Sequence, residues 1–172
     1  MKNQIKNPRF WTQAAIIAAL YTALVFAFPM LSFGPLQARV AEALCILPYF
    51  TPAAIPGLTV GCLLSNGIGV AMGTTIPIDM ALGTVTTLLA AIVSYALRQY
   101  KFLVPAPAVL FNAVTVGWMV RTFYTPEIPL WMSMVYIAGG QFLACYILGI
   151  PLILFLDRSK GFHQLLHLES RA

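Results

Sequence analysis

The sequence predicts an all-α integral membrane protein: one bundle of six transmembrane helices with both termini in the cytoplasm. Three observations predict it. The chain of 172 residues is 60% hydrophobic and only 9% charged, with a mean hydropathy of +0.84, whereas water-soluble domains carry about 25% charged residues. Apolar runs of membrane-crossing length recur along it, punctuated by Pro, Gly and charge. Threaded as six spans, Lys2, Lys6, Arg9, Arg98, Lys101, Arg158, Lys160 and Arg171, eight of the ten Lys and Arg, fall on one side, which the positive-inside rule makes the cytoplasmic side.

The elements follow in order. The first span, 10–28, is closed by Pro29 and lacks the small-residue cleavage site of a signal peptide. A loop at 30–35 leads to an apolar helix at 36–50 that contains Arg39 and Glu42. Thr51 and Pro52 separate it from span three, 53–70, and the Gly- and Thr-rich stretch 71–76 precedes span four, 77–97. Span five is 102–121, and residues 122–129 form an outer loop. Span six, 130–156, is long enough to tilt, and the tail 157–172 is amphipathic. Most of these lengths match the roughly 20 residues needed to cross hydrocarbon. The second helix does not: at about 1.5 Å per residue it reaches roughly 22 Å. It must sit inside the bundle or enter at an angle. Residues 1–172 read as a single membrane domain, without low-complexity segments or repeats.

The net charge of +5 is confined largely to loops, so it sets topology and does not mark a nucleic-acid site. Cys45, Cys62 and Cys145 are isolated in apolar runs and read as small buried residues. His163 and His167 have i, i+4 spacing, but no acidic or Cys co-ligand is nearby, so an amphipathic surface tail is the better reading and no metal is expected. There is no P-loop, G-x-S-x-G or H-E-x-x-H motif. The chain is therefore expected not to be an enzyme and to need no cofactor. Energy for any transport must come from a partner or an ion gradient.

Outside the tails and the 98–101 loop, the only charges are Arg39, Glu42, Asp79, Arg121 and Glu127, all toward the outer side. A charge in hydrocarbon is costly, so each marks a candidate functional site. Arg39 and Glu42, three residues apart, share a helix face. They either neutralise each other at a helix end or grip a ligand, Glu42 accepting its N–H groups and Arg39 orienting it. Asp79 follows Pro77, with Thr74 or Thr75 as candidate N-cap. An acid in the first turn suits the helix dipole without any ligand, but its level beside Glu42 suggests a pocket. Asn66 shares that outer half. Asn112 and Gln141 lie deeper, where amides often join helices. Phe33, Tyr124 and Trp131 fit an interfacial aromatic belt, while Trp118, one turn before Arg121, is placed toward the pocket. On the first helix, Ala15, Ala19, Ala23 and Ala27 form a small-residue ridge, which serves either a partner interface or packing within the bundle.

These residues resemble the QueT family. The resemblance rests on GPLQARVAEAL at 34–44, TPAAIPGL at 51–58, GCLLSN at 61–66, and Asp79 followed by Gly83 and Thr84. It spans about 11–157. It implies the substrate-binding S component of an energy-coupling factor (ECF) transporter for queuosine precursors, in a bacterial cytoplasmic membrane. Such a component is a six-helix protein whose outward pocket is covered by a loop, here 30–37. Its first helix meets a transmembrane coupling protein through the ridge Ala15, Ala19, Ala23, Ala27, and two cytoplasmic ATPases complete the module. The implied cargo is a deazapurine, an aminomethyl- or cyano-deazaguanine, held by residues among Glu42, Asp79, Asn66, Arg39, Asn112 and Trp118. The alternatives are an S component for another vitamin-like ring, a stand-alone proton-coupled carrier, or a small membrane enzyme using Glu42 and Asp79 as acid and base.

Overall fold

A computed structural model describes residues 6–32 and 39–159, and every regular element among them is helical. Helix α1 is Pro8–Ala27, opened by Asn7, whose side chain accepts the Arg9 N–H at 3.0 Å. After it come a single turn, α2 (Pro29–Ser32), and a 3-10 helix, Val40–Tyr49. Helices α3 (Ala54–Ala71), α4 (Pro77–Ala96) and α5 (Ala106–Phe123) follow. The last pass is α6 (Leu130–Phe142), a π-helical segment (Leu143–Leu148) and α7 (Gly149–Arg158).

The bundle has an apolar core and, unlike a soluble protein, also an apolar outer surface, with polar groups buried inside. Leu20, Leu64, Val85, Leu89, Ile92, Leu110 and Val114 are exposed, while Glu42, Asn66, Asp79, Thr86, Thr87, Asn112 and Gln141 are buried. Apolar surface turned outward and polar groups turned inward suit a lipid solvent. Pro8–Ala27, Ala54–Ala71, Pro77–Ala96 and the continuous stretch Leu130–Arg158 are each long and apolar enough to cross a membrane. Helix α5, 18 residues long, is less apolar. This is a multi-pass membrane protein.

The 3-10 helix is the centre of the bundle, packed against α1, α3, α4, the π segment and α7. The expected 15-residue α-helix is thus a tighter, shorter element within the described residues, and residues 33–38 lie outside them. Winding as 3-10 raises the rise to about 2 Å per residue, so ten residues cover roughly 20 Å instead of 15. A short sequence thereby reaches further through the bundle, as a narrower rod that fits between larger helices. Three residues per turn also align Arg39, Glu42, Cys45 and Pro48 along one side.

The expected single sixth helix is interrupted by the π segment. Pro151 has no N–H to offer the carbonyl one turn earlier, which loosens the helix just upstream. The same stretch presses on the 3-10 helix: a Cβ on Gly149 would lie 2.9 Å from Ile46 Cγ2. Span five starts at Ala106 and not at 102, because 97–105 form turns that end at Pro105. Ile76, and not Thr74 or Thr75, occupies the N-cap position of α4, and it is the Asp79 side chain that accepts the Ile76 N–H. Gly73, at φ 72°, makes the left-handed bend that ends the turn after α3.

Helices α1 and α3 approach closely at Gly57 and Gly61, where an added Cβ would meet Ile17 Cβ at 2.8 Å and Tyr21 Cβ at 2.7 Å. Hydrogen bonds tie the remaining passes. Thr86 Oγ1 donates to Thr115 Oγ1 at 2.9 Å between α4 and α5, and Ser94 Oγ donates to Val104 O at 2.7 Å. At one end of the bundle, the Lys101 ammonium pairs with Asp157 at the end of α7.

Candidate functional site

At the other end, the start of the 3-10 helix, the end of α3 and the start of α4 enclose a polar cavity that extends inward between α5 and α6. Arg39, Glu42, Asn66 and Asp79 line its outer part. Thr87, Asn112 and Gln141 line it deeper down. The internal space is on the order of one or two water molecules, so a ring-sized ligand enters only when side chains part.

Each polar group is held in place. Arg39, at the N-terminus of the 3-10 helix, donates from Nη2 to Asn66 Oδ1 at 2.9 Å and from Nε to Ser32 O at 3.3 Å. Asn66 Nδ2 donates in turn to the Asp79 backbone carbonyl at 3.2 Å, which joins α3 to α4. Gly83 makes room for that amide, since a Cβ there would lie 2.9 Å from Asn66 Nδ2. Glu42 Oε1 accepts the Tyr21 hydroxyl at 2.7 Å. Deeper down, Asn112 Nδ2 donates to Gln141 Oε1 at 3.2 Å, so Asn112 both joins helices and faces the cavity.

Asp79 is divided between two tasks. Its Oδ2 accepts the Ile76 N–H at 3.0 Å, an N-terminal cap, and also the Tyr124 hydroxyl. Its Oδ1 is buried without a hydrogen-bond partner, in a residue only 3% exposed. Helix capping explains the first oxygen and leaves the second unexplained. Burial, and then the bond to Asp79, raise the Tyr124 phenol above its ordinary pKa.

A second, more apolar cavity lies inward of the first and shares Glu42, Thr87 and Asn112 with it. Tyr21, Leu58, Ala90 and Ala108 complete much of its wall.

The structure thus gathers Arg39, Glu42, Asn66, Asp79 and Asn112 around one cavity. Trp118 is not among the side chains that line it: it is 44% exposed and meets Phe123 edge-on at 6.1 Å. Tyr124, read as a belt residue, reaches the site instead. Tyr21 and Thr87 were not foreseen. The signal for Tyr21 was its place in the i, i+3, i+4 pattern of α1, in line with Ala14, Ile17, Ala18 and Val25, as the one tyrosine of that helix. Ala15, Ala19, Ala23 and Ala27 are exposed, whereas Ala14 and Ala18 are buried against the bundle. Cys45, Cys62 and Cys145 are free and buried. Phe33, His163 and His167 lie outside the described residues, as do positions 33–37 of the expected loop.

A family model described as QueT transporter matches residues 11–158. The chain belongs to the QueT transporter family. QueT proteins are transporters, not enzymes. A stretch of 76 residues is 34% identical to the queuosine precursor transporter QueT of Lactococcus lactis subsp. cremoris (strain MG1363). That stretch covers 43% of this chain and 42% of the Lactococcus protein, less than half of either. No solved structure matches the chain.

Proposed function

We propose that this QueT-family chain is the substrate-binding S component of an ECF-type ABC transporter that imports a queuosine precursor, an aminomethyl- or cyano-deazaguanine, across a bacterial cytoplasmic membrane. The observation that carries the reading is the buried, unpartnered Oδ1 of Asp79, a residue that lines a cavity together with Glu42, Asn66 and Arg39. A guanine-like edge offers adjacent N–H donors that a second carboxylate, Glu42, accepts. Amides such as Asn66 and Asn112 complement the ring carbonyl and ring N–H.

In this reading all six passes cross the membrane with both termini inside. The Lys101–Asp157 pair brings the 98–101 loop to the end of α7, and Arg9 opens α1. This grouping of charge at one end supports that orientation. The cavity then opens outward. The exposed ridge Ala15, Ala19, Ala23, Ala27 is the surface that meets a transmembrane coupling protein, and two cytoplasmic ATPases supply the energy.

Titration calorimetry of the detergent-purified chain with the aminomethyl-deazaguanine tests the reading, with guanine and riboflavin as controls. Saturable binding without turnover is expected, and Glu42→Gln weakens it by about 1.5–3 kcal/mol, as for a lost charged hydrogen bond. Absence of binding in folded protein overturns the cargo. Uptake by proteoliposomes that lack ATPase partners would make the chain a stand-alone carrier instead.

A further inference from the structure

Three formally charged side chains line the polar cavity: Arg39, Glu42 and Asp79. Counted formally, one cation stands against two carboxylates. The other charges at this end, Arg121 and Glu127, are exposed and of opposite sign. An unbalanced charge inside a membrane bundle is expensive unless something completes it.

The geometry locates that deficit. Glu42 has the Tyr21 hydroxyl on Oε1. Asp79 Oδ2 is held from two directions, by the Ile76 N–H and the Tyr124 hydroxyl. These donors occupy Oδ2 and leave Oδ1 buried and unpartnered, on a residue that lines the cavity. An acid that served only the α4 dipole at a wet helix end would have water on its second oxygen. This one is 3% exposed.

We propose that the site selects a monocationic ligand, with Asp79 Oδ1 receiving the ligand's ammonium group and Tyr124 acting as the positioning residue for that carboxylate. The inference rests on the deazaguanine reading above and deepens it. Asp79 is thereby the residue that distinguishes the aminomethyl form, whose primary amine is charged at neutral pH, from the cyano form. The nitrile is neutral and cannot complete the charge. Glu42 then serves the part of the ring that both molecules share.

The test is the ratio of affinities for the aminomethyl- and cyano-deazaguanines, measured by calorimetry on the full detergent-purified chain. Wild type should bind the cation tighter by on the order of tenfold to a hundredfold. Asp79→Asn should bring the ratio close to one, mainly by losing the cation. Tyr124→Phe should reduce the ratio partway, and Glu42→Gln should weaken both ligands while leaving the ratio in place. That pattern separates positioning from a general loss of structure, which would lower both affinities together. Equal binding of the two ligands by wild type overturns the proposal, as does a ratio that survives Asp79→Asn. The wild-type ratio stands even if a variant fails to fold. If folded wild type binds neither ligand, the cargo reading itself has failed. Binding of both without preference defeats the charge selection alone.

Discussion

Tyr21 on α1 donates its hydroxyl to Glu42 on the central 3-10 helix at 2.7 Å, and both residues are buried. The face of α1 that carries Tyr21 also buries Ala14, Ile17, Ala18 and Val25, while the Ala15, Ala19, Ala23, Ala27 ridge is exposed. One helix therefore holds the donor to a site carboxylate on its inner side and the proposed docking ridge on its outer side. Gly61 makes this possible, because a Cβ there would lie 2.7 Å from Tyr21 Cβ.

Tyr21→Phe removes that donor and leaves a buried carboxylate short of a hydrogen bond. Stability should fall by about 1.5–3 kcal/mol. Unfolding of wild type and variant in the same detergent measures the loss, and calorimetry should show weaker binding of either deazaguanine. An unchanged midpoint together with unchanged affinity would mean that Glu42 does not depend on this bond.

Gly83→Ala places a methyl group 2.9 Å from Asn66 Nδ2. The amide must shift, which strains its bonds to Arg39 and to the Asp79 carbonyl. Overpacking of this kind costs about 1–3 kcal/mol. Ligand affinity should drop by about tenfold or more, since the displaced groups line the cavity. Binding at wild-type strength would show that Asn66 has no part in recognition.

Ala19→Leu and Ala23→Leu enlarge side chains that face outward. Neither touches the cavity, so ligand binding by the isolated chain should persist. Co-purification with the proposed coupling protein and ATPases should be lost, because close helix approach needs small residues. If the complex assembles with both substitutions, the ridge faces only lipid.

Lys101 and Asp157 form an ion pair at the cytoplasmic end of the proposed topology, with side chains 27% and 31% exposed. The bond to Asp157 is the main cause that raises the lysine pKa. A raised folded value means that the contribution is fully present below the unfolded lysine pKa of about 10.4, and is lost as pH rises through the folded value. Partial exposure limits it to under about 1 kcal/mol. Lys101→Met should be slightly less stable than wild type at pH 8, and the two should converge at strongly alkaline pH. Thermal unfolding at both pH values checks this.

Much of the candidate site was legible because charge is so rare in this chain. Arg39, Glu42 and Asp79 stand out in an apolar sequence, and the cost of burying each makes it a site candidate before any fold is known. Asn66 followed from sharing their level in the membrane. Tyr21, Thr87 and Tyr124 gave no such signal, since hydroxyls and aromatics are common in membrane helices and belts. Trp118 and Tyr124 looked alike in sequence. Only the rotation of α5 and the bend after Phe123 direct the tyrosine to Asp79, while the tryptophan stays at the surface.

Composition and apolar period by themselves determined that the chain is helical, lives in a membrane and carries a few costly charges toward one end. Those features depend on transfer from water, which each residue carries independently of its neighbours. Tertiary structure alone decided that the second helix winds as 3-10 at the centre, that Pro151 lies behind a π segment, and that Asp79 offers one free oxygen while Tyr124 and Ile76 hold the other. Helix winding and hydrogen-bond pairing depend on what the neighbouring passes leave room for, and residues as far apart in sequence as Asp79 and Tyr124 meet only once the bundle is packed.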